Sequence, residues 1–127
     1  MNEVFESLKS IMRPYSQSLN TKHDDPGHYY LDTYHIMKNK KPLFFGAVQI
    51  KKNYVSYHLM PVYVNPALLN GMHPELKKHM QGKSCFNFKF VDENLFQELA
   101  VLTKLGYEDY RTNGFIEHMS PAVRGRG

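Results

Sequence analysis

Two histidines and two aspartates fall within one six-residue segment, His23-Asp24-Asp25-Pro26-Gly27-His28. Imidazole nitrogens combined with carboxylate oxygens are ligands that suit iron, zinc or manganese. The segment also contains Pro-Gly, which is typical of a turn, and aspartates in turns commonly accept hydrogen bonds from nearby backbone amides. His23, Asp24, Asp25 and His28 are therefore candidate metal ligands, and an ordinary metal-free turn is the alternative.

A second group of polar side chains is spread along segments that are otherwise apolar. Gln49, Ser56 and His58 fall on the same face of a predicted hairpin, and Cys85 and Asn87 alternate in the same way further along the chain. If these segments are neighbours, the amide, hydroxyl, imidazole and thiol groups form a patch that could hold a small molecule or a peptide. A solvated sheet face or a dimer contact is the alternative.

Cys85 and His58 could also act as a nucleophile and its base, but their surroundings favour a noncatalytic role. A catalytic cysteine needs a thiolate stabilised by an imidazolium or a helix N-terminus, together with an oxyanion site. Cys85 lies inside a predicted strand and lacks the glycines of a nucleophile elbow. The sequence also contains no phosphate-binding glycine loop and no zincin motif. We therefore expect no enzymatic activity and, iron apart, no cofactor.

The apolar pattern of the first third of the chain predicts the elements around the histidine-aspartate segment. A first helix is predicted from the helical spacing of Val4, Phe5, Leu8, Ile11 and Met12. Pro14 ends this helix near Arg13. Residues 15–27 are predicted to be a polar connector, and residues 28–36, which are rich in Tyr and Thr, a strand.

Residues 43–50 and 54–60 are two apolar runs joined by a predicted tight turn at Lys52-Asn53. Pairing Lys51 with Tyr54 sets the register and assigns the side chains to two faces. One face, predicted to be core, carries Phe44, Gly46, Val48, Ile50, Val55, Tyr57 and Leu59. The other face carries Phe45, Ala47, Gln49, Ser56, His58 and Met60. The polar patch is therefore expected on this second face, between Phe45 and Met60.

The rest of the chain completes the predicted fold. Residues 66–71 and 74–80 have the pattern of short helices, and residues 84–90 alternate as a strand. Asp92 is suited to cap a final helix, and Gly106 is predicted to end it. The order predicts an α+β fold of two layers, in which an antiparallel sheet of at least four strands carries the N- and C-terminal helices on one face.

This order and three segments of the chain resemble the YdhG-like domain of unknown function, whose architecture is related to that of frataxin. The segments are KPLFFGAVQIKKNYVSYHLMPVY, ELKKHMQGKSCFNFKF and LFQELAVLTKLGYEDY. The resemblance covers residues 1–111 and implies a small cytoplasmic domain, with an iron-chaperone role proposed for some members. Frataxin-like proteins hold iron on acidic side chains of the first helix, where this chain has Glu3 and Glu6.

Length and charge narrow the classes of function. A chain of 127 residues normally forms one domain, here predicted at residues 1–111 with a flexible or loosely docked tail at 112–127. The net charge is +4, and nine lysines between Asp32 and Asp92 face only one acid, Glu75. Five of these lysines fall in two turns at opposite ends of the predicted strands, with Lys38, Lys40 and Lys41 in the first turn and Lys51 and Lys52 in the second. Nucleic-acid binding instead needs one contiguous basic face. We therefore expect no specific nucleic-acid partner.

The single cysteine permits no internal disulfide, which favours a reducing, cytoplasmic location. The first twelve residues lack the pattern of a signal peptide, and no segment reaches the roughly 20 apolar residues of a membrane span. The sequence thus favours a noncatalytic module that binds a small molecule or a protein, with frataxin-like iron binding as the alternative and a Cys/His-dependent enzyme as a weaker one. An open sheet face could also form a homodimer.

Overall fold

Six antiparallel strands form one open sheet in the computed structural model, which describes residues 1–116. In chain order they are β1 (Asn20–Asp25), β2 (His28–Ile36), β3 (Pro42–Ile50), β4 (Val55–Leu59), β5 (Met80–Gln81) and β6 (Cys85–Phe88). Their order across the sheet is β1-β2-β3-β4-β6-β5. The α+β class and the antiparallel sheet of at least four strands are therefore confirmed.

In the described part of the chain, two long helices and two short ones accompany the sheet. They are α1 (Asn2–Met12), α2 (Met60–Val64), α3 (Pro74–Lys77) and α4 (Glu93–Thr112), with 3₁₀ turns at Arg13–Ser18 and Pro66–Leu69. Asp92 caps α4 as predicted, because its side chain accepts a hydrogen bond of 3.1 Å from the amide of Leu95. Within residues 1–116, no helix has both the length and the apolar character that crossing a membrane requires.

The buried side chains of α1, α4 and the inner side of the sheet belong to one hydrophobic core. The ring of Phe88 on β6 meets Phe96 of α4 edge to face, with 4.9 Å between centroids. Phe45 on β3 contacts Tyr107 and Tyr110 of α4 in the same manner. Each fully buried large apolar side chain contributes about 1.5–3 kcal/mol to folding, so this core is the main source of stability.

Strand β1 lies inside residues 15–27, so the prediction of a polar connector is wrong over Asn20–Asp25. It is an edge strand, and all its residues after the first are exposed. Its sequence, NTKHDD, therefore lacks the alternation of apolar and polar residues that identifies a half-buried strand. The turn to β2 is Pro26-Gly27, where glycine has a φ of 81° that other residues adopt only with strain.

The β3–β4 hairpin has the register that the sequence predicts. The backbone amide of Lys51 donates to the carbonyl oxygen of Tyr54 at 2.8 Å, and Val48 lies opposite Tyr57. Met60 is not part of β4 as predicted but begins α2. The strand ends there because Pro61 has no amide hydrogen to offer the sheet.

A β-bulge in β3 reverses the predicted faces of two aromatic residues. Leu31 of β2 pairs with Gly46, but the next residue, Asp32, pairs with Phe44, so Phe45 is an extra residue in β3. Phe45 is fully buried in the core, whereas Phe44 is half-buried on the outer face. The assignment of Phe44 to the core and of Phe45 to the outer face is therefore wrong.

Helix α4 continues through Gly106 to Thr112, so the prediction that Gly106 ends it is wrong. A Cβ atom at position 106 would lie 2.8 Å from the Cβ of Pro61 in α2, closer than real contacts allow. Glycine is required here because two helices touch, not because the chain turns.

The predicted tail, residues 112–127, lies outside the described residues from position 117 onward. Of the preceding part, Phe115 packs its ring against His35 with 5.0 Å between centroids, and Ile116 is buried. The described chain thus stays in contact with the domain beyond the end of α4.

Candidate binding site

All five residues of the predicted polar patch line one groove on the outer face of the sheet. Cross-strand pairing places Gln49 opposite Ser56, Ser56 opposite Asn87, and His58 opposite Cys85. The Cβ atoms of residues paired in this way are about 4.5–5.5 Å apart, so the five side chains form a continuous cluster. The groove has a volume of about 430 Å³, which falls in the range of about 300–1,000 Å³ typical of small-molecule sites.

Aromatic rings form one side of this groove. The ring of Tyr30 lies 4.7 Å from that of Phe44, and Phe44 lies 4.8 Å from the imidazole of His58, measured between centroids. Ala47 leaves free space beside them, and Tyr54 also lines the groove. Sequence patterns alone missed Phe44 because the bulge at Phe45 carries no signature in the alternation of side chains.

The groove is nearly neutral. Its remaining lining residues are His28, Lys51 and Gln81. Among the described residues that line it, Lys51 is the one formally charged side chain, and none is an acid. The groove therefore suits a neutral ligand or one with a negative group near Lys51.

The protonation states of His58 and Cys85 favour hydrogen bonding over nucleophilic attack. Burial lowers the pKa of the His58 imidazole, which therefore stays neutral at pH 7. Burial also raises the pKa of the Cys85 thiol, with smaller opposing effects from Ser56 and Lys51. The two residues are direct neighbours, but they form a thiol beside a neutral imidazole instead of the ion pair that activates a cysteine.

Asn87 has an unused hydrogen-bonding group. Its backbone is held by His79, whose carbonyl oxygen accepts from the Asn87 amide and whose Nδ1 lies 2.9 Å from the Asn87 carbonyl oxygen. The side-chain Oδ1 is buried and has no hydrogen-bond partner among residues 1–116, a state that costs about 1–3 kcal/mol. A half-turn of the amide exchanges the places of its oxygen and nitrogen, so the side chain can offer a ligand either an acceptor or a donor.

The four candidate metal ligands separate into two sets. His23, Asp25 and His28 lie on one side of the β1–β2 hairpin, and their ligand atoms are all within 4.8 Å of one another. The Nδ1 atom of His23 is 3.5 Å from a carboxylate oxygen of Asp25. Asp24 instead forms an ion pair with Lys9 of α1, with 2.6 Å between the charged atoms. The hairpin thus gathers three of the four residues.

The hairpin cluster and the groove are adjacent. His28 lines the groove, and its ring also stacks on that of His23, with centroids 4.5 Å apart and planes 18° apart. The three clustered residues form the one group of three or more potential metal ligands within residues 1–116.

Comparisons of the chain with protein-family models, with curated proteins and with solved structures give no significant match.

Proposed function

We propose that this protein is a noncatalytic binding module whose outer sheet face holds a small, flat molecule with hydrogen-bonding edges. The observation that carries the proposal is the groove itself, in which aromatic rings and uncharged polar groups line one cavity of about 430 Å³. A few polar groups set among apolar walls are the usual composition of a small-molecule site.

The aromatic wall favours a flat ligand. Tyr30 and Phe44 lie side by side, and the ring of Phe44 contacts His58. A planar ring placed over Ala47 can pack against this wall in an offset or edge-to-face arrangement. Such a pair contributes about 0.5–1.5 kcal/mol beyond the burial of surface.

The polar groups select for hydrogen-bonding edges. Gln49 and Asn87 offer both donors and acceptors, as do the Ser56 hydroxyl and the neutral His58 imidazole. Lys51 adds one positive charge without a neighbouring acid among the lining residues. The preferred ligand class is therefore a heteroaromatic amide or a heteroaromatic carboxylate.

The same protonation states support a noncatalytic role. A thiol with a raised pKa is a poor nucleophile, and an imidazole with a lowered pKa does not stabilise a thiolate. Cys85 and His58 therefore contribute to binding as a weak polar surface and as a hydrogen-bonding group.

We also propose that the fold is YdhG-like, with the two long helices on one face of the sheet, and that the protein is cytoplasmic. Burial of α1 and α4 side chains in a single core supports the fold assignment. Frataxin-like iron binding on α1 is the alternative proposal. It has less support, because the helix has two exposed acids, Glu3 and Glu6, and Glu6 lies 4.0 Å from Arg13.

Titration of the protein with nicotinamide and with nicotinate tests the proposed function, because these probes share one shape and differ in charge. We expect saturable binding of both, with a Kd on the order of 1 mM for such small probes. Nicotinate should bind several-fold more tightly, because its carboxylate can approach Lys51. Isothermal calorimetry and ligand-observed NMR provide the measurement.

Variants assign the binding to the groove. Ser56→Leu, which fills the groove, should abolish binding of both probes, and Gln49→Leu at the groove surface provides the same test if the first variant folds poorly. Lys51→Gln should remove the preference for nicotinate while nicotinamide still binds. Ser10→Leu on the exposed side of α1 is the control. Equal binding by the groove variants and the wild type would contradict the proposal.

A further inference from the structure

The β1–β2 hairpin holds three metal-binding side chains in positions that the backbone determines. Cross-strand pairing puts Asp25 opposite His28 and His23 opposite Tyr30. His23 and Asp25 are two residues apart on the edge strand, so their side chains share the side on which His28 and Tyr30 also lie. Because the loop between the strands is only Pro26-Gly27, little additional chain entropy is lost on bringing the two strands together.

We propose that His23, Asp25 and His28 bind one divalent transition-metal ion of the class represented by Zn²⁺. Two imidazoles and one carboxylate are a common ligand set for such ions, which accept nitrogen and oxygen together. This site goes beyond the proposed function of the groove and does not depend on it.

The distances allow binding after small side-chain movements. In a tetrahedral zinc site, bonds of about 2.0–2.1 Å place the ligand atoms about 3.3 Å from one another. The ligand atoms of the hairpin cluster are now within 4.8 Å of one another. The side chains of His23 and Asp25 are 49% and 63% exposed, so both can rotate toward a metal without disturbing the core.

The contacts within the cluster bring the three side chains together. The rings of His23 and His28 are stacked, and the Asp25 carboxylate lies beside Nδ1 of His23. Because the nitrogen lone pairs lie in the planes of the rings, the stacked imidazoles must tilt toward one another to share one ion, and the exposure of His23 permits this movement. Three ligands from the protein leave at least one coordination position for water or another molecule.

The charge of the site indicates which ions it can select. Asp25 is the one carboxylate in the cluster, since the neighbouring Asp24 is paired with Lys9. Lys51 and His28 both line the groove, so the cation of the groove lies near this site. Magnesium and calcium prefer several oxygen ligands, so they should not bind here. Affinity should instead follow the order expected for imidazole sites, in which Zn²⁺ and Co²⁺ exceed Mn²⁺.

This site differs from an acidic iron-binding ridge in both position and chemistry. It lies at the edge strand β1 and uses imidazole nitrogens, whereas Glu3 and Glu6 lie on α1 and offer only carboxylate oxygens. Substitutions in the hairpin therefore test it without touching the acids of the first helix.

Calorimetric titration of the full chain, freed of any polyhistidine tag, with ZnCl₂ tests the proposal. We expect one site with a Kd on the order of 1–10 µM. His28→Gln should remove binding, and Asp25→Asn should weaken it at least tenfold. Asp24→Asn is the matched control, because it makes the same chemical change on the adjacent residue of the same strand, and its Kd should stay within twofold of wild type. MgCl₂ should produce no binding heat.

A second readout identifies the ligands independently of affinity. Co²⁺ in place of Zn²⁺ should give visible absorption bands of a nitrogen and oxygen environment, and these bands should be lost in His23→Gln. Circular dichroism without metal confirms that each variant is folded. Equal weakening by Asp24→Asn and Asp25→Asn would overturn the proposal, as would a thiolate-to-cobalt charge-transfer band from Cys85.

The groove variant Ser56→Leu should bind Zn²⁺ as the wild type does. Loss of Zn²⁺ binding in this folded variant would overturn the assignment to the hairpin. Failure of the nicotinate titration leaves the Zn²⁺ measurement unaffected, so the two proposals can fail separately.

Discussion

His58 occupies the part of the groove where apolar and polar surfaces meet. Phe44 packs against one side of its imidazole, and Cys85 lies opposite it on the next strand. Burial disfavours the charged imidazolium and lowers the pKa of His58. The neutral ring can then donate through one nitrogen and accept through the other, which suits recognition of an uncharged ligand edge.

The lowered pKa of His58 predicts a pH dependence of stability. Above the unfolded-state pKa of about 6.5, His58 is neutral in both states, and its contribution to stability is fully present. As the pH falls below 6.5 and through the lower folded-state pKa, the unfolded chain binds a proton that the folded chain does not. The free energy of unfolding should therefore fall with a slope of at most about 1.4 kcal/mol per pH unit from this group.

Urea denaturation of the wild type and of His58→Gln between pH 5 and pH 8 isolates this effect, since other titrating groups are common to both proteins. The difference in free energy of unfolding should be constant above about pH 7 and should shrink below about pH 6.5, as the wild type alone loses stability. A difference that grows in favour of the wild type at low pH would show that folding raises the pKa of His58.

Residue types and alternation predicted the polar members of the groove but not its aromatic wall. Gln49, Ser56 and His58 follow from the register of a short hairpin, which a tight turn defines. Phe44 could not be assigned, because one extra residue in β3 depends on pairing with β2 and leaves no local signal. Sequence proximity makes Asp24 a candidate metal ligand beside His23 and Asp25. It does not reveal that Asp24 forms an ion pair with Lys9 of α1.

Elements with periodic apolar residues were predictable, and elements held mainly by backbone pairing were not. The spacing along α1 reflects one buried face, and β2 is rich in Tyr and Thr, so both could be found from the sequence. Strand β1 exposes nearly all its side chains, and its identity as a strand comes from pairing with β2. The full length of α4 was missed because the contact between Gly106 and Pro61 joins residues far apart in sequence.

Because of the bulge in β3, we expect unequal losses of stability when two adjacent phenylalanines are replaced. Phe45→Ala removes a fully buried ring and should reduce the free energy of unfolding by about 3–5 kcal/mol. Phe44→Ala removes a half-buried ring on the outer face and should cost about 1 kcal/mol, while weakening the binding of nicotinate.

Chemical denaturation of both variants measures the stability part of this prediction, and each variant serves as the control for the other. A larger loss of stability in Phe44→Ala than in Phe45→Ala would contradict the bulge and would restore the simple alternation along β3.

At the scale of the whole molecule, the outer face of the sheet combines two neighbouring features. The groove crosses the central strands, and the hairpin cluster lies at the β1 edge, with His28 common to both. The hairpin lysines form one group before β3, namely Lys38, Lys40 and Lys41, and another after it, Lys51 and Lys52. Of these five, Lys51 lines the groove. Because a nine-residue strand spans about 27–30 Å, these groups are well separated, and the absence of a specific nucleic-acid partner stays a prediction.

The fold class followed from the order of elements, because an alternation of helices and paired apolar strands has few compact arrangements. The order of elements does not determine which side chains meet on the outer face. That depends on which strands are neighbours, above all on the pairing of β6 with β4, which places Cys85 beside His58. Long-range pairing of this kind is decided by the packing of the whole core.

Mapping the binding of nicotinate by ¹H–¹⁵N correlation NMR tests the central claim, that the outer sheet face is a ligand-binding site. The largest shift changes should fall on the backbone amides of Ser56, His58 and Asn87, with α1 unaffected. Shift changes concentrated on α1 or α4, or no saturable change at millimolar nicotinate, would contradict the account.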